Sequence, residues 1–178
     1  KGWIEKIQLI YSDDFFKTQA NIKDDHTRTL AAGYVTQLSV IHGFIVAVVQ
    51  SDSYIKSGSS ASLFVSRDGD IFEKAIVEGD LVADRFSFLP STKHSLHIDV
   101  WGSTKDGTNV ANIIASDSEG LHFRSLLNGI ETNMLGFLNL DKIETVEGVW
   151  TANVLEGYDT KTLSPLSRTK ITFDDGHS

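Results

Sequence analysis

Apolar and polar positions along this chain fall into short runs. Alternating or β-branched stretches occur at Ile7–Tyr11, Tyr34–Val40, Phe44–Gln50, Ser62–Val65, Phe86–Leu89, His94–Trp101, Val110–Ala115, Val149–Leu155 and Arg168–Phe173, and each reads as a strand. The run F-I-V-A-V-V from Phe44 is the most apolar in the chain and suits a strand buried on both faces. Polar or glycine-containing segments separate the strands. Asn21–Arg28, Ser51–Ser60, Gly102–Asn109 and Gly157–Ser167 read as loops, with tight turns at His42-Gly43 and Pro90–Lys93. No segment carries a convincing helical period, although Asn133–Ile143 has room for one helical turn. The pattern predicts an all-β chain.

The turns repeat. Ser12, Ser66, Ser116 and Thr172 each follow a strand signal, at spacings of 54, 50 and 56 residues. A near-constant period of this size marks a repeat architecture, with about four strands in each unit of roughly fifty residues, the size of a propeller blade. The opening hydroxyl and an Asp two places on (Asp14, Asp68, Asp174) can bond amides inside the turn. Gly69, Gly120 or Gly176 supplies backbone freedom, and Phe72 or Phe123 follows as an aromatic to pack between sheets. The segments 12–19, 66–72, 116–123 and 172–178 resemble the Asp-box, S/T-x-D-x-G-x-[ST]-[WF], of sialidase-type and sortilin-type β-propellers. Their fit is graded. The fourth matches through Thr172, Asp174, Gly176 and Ser178, the third has Ser118 where Asp is usual, the second is one residue short before Phe72, and the first has Phe16 in the Gly place and Gln19 in the aromatic place.

At 178 residues the chain is long enough for one domain, and nothing in it reads as a linker to a second. A net charge of −8 argues against nucleic acid or an anionic membrane surface as partner. There is no Cys, no N-x-[ST] sequon, no signal-like stretch and no apolar run long enough to span a membrane. The chain starts without Met and stops inside its fourth repeat, which reads as an excerpt of a longer protein.

The segments between the boxes narrow the resemblance. From roughly Val35 to Ser178, and above all in the third unit, V-E-G-V-W at Val146–Trp150 and I-T-F-D-D-G at Ile171–Gly176, the chain is similar to the sortilin family, the fungal vacuolar sorting receptors for carboxypeptidase and the animal sortilins. That resemblance implies about three and a half blades of a ten-bladed propeller. It further implies a single-pass receptor whose propeller lies in the lumen of Golgi and endosomes, binding peptide segments of soluble vacuolar or lysosomal hydrolases. No catalysis, cofactor, metal or direct membrane contact is implied for this segment, whose structural partners would be the remaining blades. In the family a strand-borne Arg before an F-x-x-A-like run clamps a peptide carboxylate. The matching segment here is Ile41–Ala47, with His42 or Gly43 in the Arg place and Phe44 after it, so the same carboxylate clamp is not implied; His42 reads either as an incidental residue of a strand-end turn or as a replacement that charges on acidification. Arg85, at the mouth of the next inner strand, is the other basic candidate, and the ligand-contact set is His42, Phe44 and Arg85.

Enzymatic alternatives are thin. A sialidase-like glycosidase also uses Asp-boxes but needs an arginine triad and a Tyr–Glu pair. Here only Arg28, Arg67, Arg85, Arg124 and Arg168 are available, and Arg67 and Arg124 sit in or beside box turns. Asp13-Asp14 and Asp174-Asp175 are adjacent carboxylates that point apart on a strand, so they read as turn caps and not as an acid/base pair. His94 and His97 are an odd interval apart and fall on opposite strand faces, which makes a shared zinc site a poor reading. No calcium loop, G-x-S-x-G elbow or cysteine nucleophile is present, and Trp101 and Trp150 read as packing residues.

Overall fold

The computed structural model describes residues 10–12, 14, 17, 20, 21, 23, 24, 34–50, 58–83, 85–104, 107–133, 137–143, 145, 146, 148–159, 161, 162 and 164–174. Among them the chain is all-β, with sixteen strands and no helix. In order these are β1 (Ile10–Tyr11), β2 (Ala20–Asn21), β3 (Lys23–Asp24), β4 (Tyr34–Ile41), β5 (Phe44–Gln50), β6 (Ser60–Ser66), β7 (Ile71–Lys74), β8 (Ile76–Val77), β9 (Leu81–Val82), β10 (Phe86–Phe88), β11 (His97–Ser103), β12 (Asn109–Ser116), β13 (His122–Glu131), β14 (Leu140–Lys142), β15 (Trp150–Tyr158) and β16 (Pro165–Thr172). The chain forms two compact units, one of Lys1–His97 with Ala115–Arg124, the other of Ile98–Ile114 with Ser125–Ser178.

The first unit is built on an antiparallel meander, β4-β5-β6-β7. Strand β5 sits between β4 and β6, registered with both along its length, and Phe44, Val46, Ala47 and Val48 are fully buried. Its β-branched, nearly unbroken apolar run has no polar face to offer water, which is why it takes a middle place. The two-residue turn His42-Gly43 joins β4 to β5 with positive φ at both positions, the primed-turn geometry that matches strand twist. Val35, Ala47, Val49 and Phe72 form a buried cluster, with Ile45 and Phe64 packed against it.

Two parallel pairings escape the sequence pattern. β3 pairs with β7 (Lys23↔Ile71), and β8 pairs with the start of β13 (Ile76↔His122). The polar run Asn21–Arg28, expected as a loop, therefore holds a two-residue strand. Likewise, the strand expected from His94 begins at His97. Thr92 and Ser95 close a tight turn, with the Thr92 N–H donating to the Ser95 carbonyl (3.0 Å) and the His94 N–H to Thr92 Oγ1 (3.2 Å), so His94 and His97 do not share a strand.

In the second unit β15 is the middle strand. It runs antiparallel to β16 from Trp150↔Thr172 to Tyr158↔Pro165, and on its other edge it meets β14 (Leu140↔Ala152) and β13 (Ile130↔Val154). Ile130, Trp150, Ala152 and Val154 are buried there. Of Asn133–Ile143, which had room for a helical turn, residues 134–136 lie outside the described residues; on either side of them Asn133 and Phe137 exchange hydrogen bonds, Thr132 bridges Leu138, and β14 follows. The Gly157–Ser167 loop shortens at both ends because β15 continues to Tyr158 and β16 starts at Pro165; the Asp159 carboxylate closes it by accepting the Lys161 (2.7 Å) and Thr162 (2.9 Å) amides.

Candidate functional site

Three of the four box turns, those opening at Ser12, Ser66 and Thr172, share a bond from the opening hydroxyl to the Asp two places on. Ser66, Ser116 and Thr172 are the last residues of β6, β12 and β16. In the second box the Ser66 hydroxyl donates to Asp68 Oδ1 (3.0 Å) and accepts the Gly69 N–H (2.9 Å), while Asp68 Oδ1 accepts the Asp70 (2.9 Å) and Ile71 (3.3 Å) amides. The Asp70 amide, then the Ser66 hydroxyl and the Ile71 amide, hold the Asp68 carboxyl below the ordinary carboxylate range. Ser12 donates to Asp14 at 2.9 Å and Thr172 to Asp174 at 2.7 Å, and in both the Asp amide returns to the hydroxyl at 3.4 Å. Gly176 and Ser178 lie outside the described residues, as do Phe16 and Gln19.

The third box works without an Asp at 118. Asp117, one place earlier, accepts the Leu121 N–H (2.9 Å) through Oδ1 and meets His122 Nδ1 (2.7 Å) through Oδ2, and the Gly120 N–H donates to its carbonyl (3.1 Å). Partial burial pushes the Asp117 carboxyl up, but the Leu121 amide and His122 outweigh it and leave the group below its ordinary value. Ser116 meanwhile bonds both its own turn and the approach to β11: its hydroxyl donates to the Asp117 carbonyl (2.9 Å) and accepts the Leu96 N–H (2.8 Å), and its carbonyl accepts the Ser95 hydroxyl (2.8 Å).

Phe44 sits between two of these turns. It is 0% exposed. The Arg67 guanidinium of the second box lies over its ring, 3.6 Å from the centroid, and the same guanidinium donates to the Ser118 carbonyl of the third box and to the Lys93 carbonyl (3.4 Å). On another side Gly120, at φ +82°, approaches so closely that a Cβ there would stand 2.9 Å from Phe44 Cδ1 and Cε1 and from Val65 Cγ1. The second and third repeats are thus joined through one ring, one guanidinium and one glycine.

The structure does not bring His42 and Arg85 together. Ile45 pairs with Ser66, so the exposed His42 turn lies at the box end of the first meander. Arg85, also exposed, bonds its N–H to the Val82 carbonyl (2.9 Å) beside the Ser60↔Val82 pairing, at the far end of β6. The six residue steps along that strand span about 20 Å. Between these ends lies the outer edge of β4, with which no strand pairs among the described residues. Gln37 and Ser39 hydrogen-bond each other on one of its faces (3.1 Å). Leu38 (49% exposed) and Val40 (73%) stand opposite Ala47 and Ile45, so they carry the apolar face of the core outward to that edge.

Of the arginines a glycosidase would need, Arg67 is committed to Phe44 and two carbonyls, Arg168 pairs with Glu156 (3.3 Å), and Arg28 lies outside the described residues. Sequence reasoning missed Asp117, whose only signal was an acid beside the opening Ser of a copy that lacks its usual Asp. It also missed the reach of Arg67, which no local signal announces because its partners lie 26 and 51 residues away.

The family model Sortilin-Vps10, described as sortilin, neurotensin receptor 3, matches residues 1–178. Among curated relatives, the vacuolar protein sorting/targeting protein 10 of Clavispora lusitaniae is 33% identical across 98% of this chain. The proteins of the same name from Candida dubliniensis and Paracoccidioides brasiliensis are 31% and 28% identical across 86% and 99% of it. The chain spans 12%, 9% and 12% of the lengths of these three relatives.

Proposed function

The chain belongs to the Sortilin-Vps10 family, whose β-propeller fold its strand meanders share, and on that premise we propose that it forms part of the wall of a luminal cargo-binding domain in a sorting receptor. The receptor carries soluble hydrolases from Golgi to endosome and vacuole, and this segment is one partial propeller domain without a catalytic set. The cargo is met as an extended peptide segment. The observation that carries this reading is β4: an eight-residue strand with one edge paired to β5, its other edge unpaired among the described residues, and Leu38 and Val40 exposed beside that edge. Such an edge offers backbone groups for an added strand and apolar surface for alternate side chains. His42 contributes at one end of β4 and Arg85 at the far end of the sheet, as separate polar contacts and not as one clamp. Phe44 acts from below by fixing the turn that presents His42.

The test is surface plasmon resonance of extended peptides, tiled from soluble vacuolar hydrolases, on the full-length protein with and without Leu38→Asp plus Val40→Asp. Both side chains are already exposed, so thermal stability should be preserved. Loss of the apolar contact should weaken the best peptides by about tenfold or more. Unchanged affinity with unchanged stability removes β4 from the site.

A further inference from the structure

We propose that the exposed face of Trp101 is a docking platform for a cationic side chain of a bound polypeptide, arginine before lysine. The proposal rests on the receptor reading above. Trp101 lies on β11 with 40% of its surface exposed, and its indole Nε1 donates to Asp99 Oδ2 at 2.6 Å. Asp99 precedes it by two residues on the same strand, hence on the same face, and is 2% exposed.

This arrangement does two things. The N–H edge is tied inward to a buried carboxylate, so the ring is held in one orientation and has little side-chain entropy to lose when something stacks on it. An indole whose N–H donates to a carboxylate also becomes more electron-rich on its faces, and that carboxylate, bonded at the N–H edge in the ring plane, does not itself cover either face. Beyond β11 the Thr104 N–H donates to the Thr108 carbonyl (2.9 Å), and the Thr108 hydroxyl is hydrogen-bonded to the Tyr158 hydroxyl.

The chain uses the same chemistry where it closes its own structure. Lys142 Nζ lies 5.0 Å from the centroid of the buried Trp150 ring in the second unit, and Arg67 lies over Phe44 in the first. Trp101 differs in that solvent reaches its ring. A net charge of −8 favours approach of a basic segment, and guanidinium, planar and weakly hydrated, stacks better than ammonium.

The experiment compares two probes on the full-length protein by surface plasmon resonance: the acetylated, amidated peptide Leu-Arg-Leu-Arg-Leu, and the same peptide with citrulline for arginine, which keeps the planar shape and removes the charge. A lysine version ranks the two cations. Wild type should prefer the arginine probe. Trp101→Ala should lower its affinity by about two- to five-fold, the range for one cation on an exposed ring, and leave the citrulline probe unchanged. Trp101→Phe, which keeps a ring, should retain part of the preference; both variants take the same donor from the buried Asp99 carboxylate, so any loss of thermal stability should be similar in the two, and the arginine-to-citrulline ratio measured well below unfolding carries the comparison. A preference that survives Trp101→Ala, equal losses for both probes, or no preference in wild type overturns the proposal. If the Leu38/Val40 variant loses the hydrolase peptides while Trp101→Ala alters neither probe, the receptor reading stands and this platform falls. If wild type binds no peptide of either kind, the receptor reading falls and takes the platform with it.

Discussion

Gly120→Ala is the sharpest probe of how the repeats are joined. The substitution carries two separable penalties. At φ +82° an L residue sits in the left-handed region, which costs about 1–2 kcal/mol. The new Cβ would also stand 2.9 Å from two carbons of Phe44 and from Val65 Cγ1, closer than packed carbons tolerate. Neither neighbour can give way easily, because Phe44 is wholly buried under Arg67 and Val65 is buried in β6. Overpacking of this kind costs about 1–3 kcal/mol, so the total is about 2–5 kcal/mol. Gly58→Ala and Gly79→Ala supply the control: their φ values, +80° and +88°, carry the same backbone penalty, but nothing lies within 4 Å of either added Cβ. Gly69→Ala falls between, its Cβ meeting only the mobile end of Ile45 at 3.2 Å. Chemical denaturation of the full-length protein should rank Gly120→Ala worst, Gly69→Ala next and the two controls mildest. Adding Phe44→Leu to Gly120→Ala should recover part of the loss, which a double-mutant cycle would score as coupling. If Gly120→Ala is no worse than Gly58→Ala, the close packing of the third box on Phe44 is wrong.

Two further outcomes follow from the turns themselves. Asp68→Ala removes the acceptor of two exposed amides, so it should lower the melting temperature less than Gly120→Ala and leave peptide binding at low temperature intact; loss of binding with unchanged melting would show that this turn touches ligand. Asp117, whose carboxyl is depressed in the fold, contributes stability that is present above the unfolded value near pH 4 and is lost as pH falls through the folded value. The stability gap between wild type and Asp117→Asn should therefore be full at pH 7 and shrink progressively as the pH falls below about 4; a gap independent of pH would remove the charge from the account.

The sequence was legible where chemistry is local. Ser66, Asp68 and Gly69 bond one another within four residues, so spacing alone exposes the turn. Strand β5 shows itself through an unbroken β-branched run that only a middle strand can use. Features set by distant partners stayed hidden. The start of β11 moved from His94 to His97 because Ser95 and Leu96 are held by Ser116, about twenty residues on. β3 and β8 are two residues long and owe their existence to parallel neighbours almost a repeat away. The expected ligand-contact set is likewise placed by distant neighbours: His42 is a turn tip, Phe44 a buried ring and Arg85 an exposed residue at the far end of the sheet.

These placements divide labour within the first unit. At the box end the polar groups are already spent on the chain itself. Ser66 and Asp68 bond their own turn, Ser116 holds the approach to β11, Arg67 spans two boxes, and Phe44 is sealed between an arginine and a glycine. A ligand gripping those groups would have to displace bonds already made: at the buried Ser66 and Ser116 that leaves partners unmatched at about 1–3 kcal/mol each, and less at the exposed Arg67 and Asp68. The edge of β4 carries no such burden: its exposed Leu38 and Val40 lose water and nothing else when covered. Recognition is therefore cheapest along β4, and the periodic residues that announce the fold are the ones least able to serve it. Substitutions within the box turns should change stability before affinity, and substitutions at Leu38 and Val40 affinity before stability.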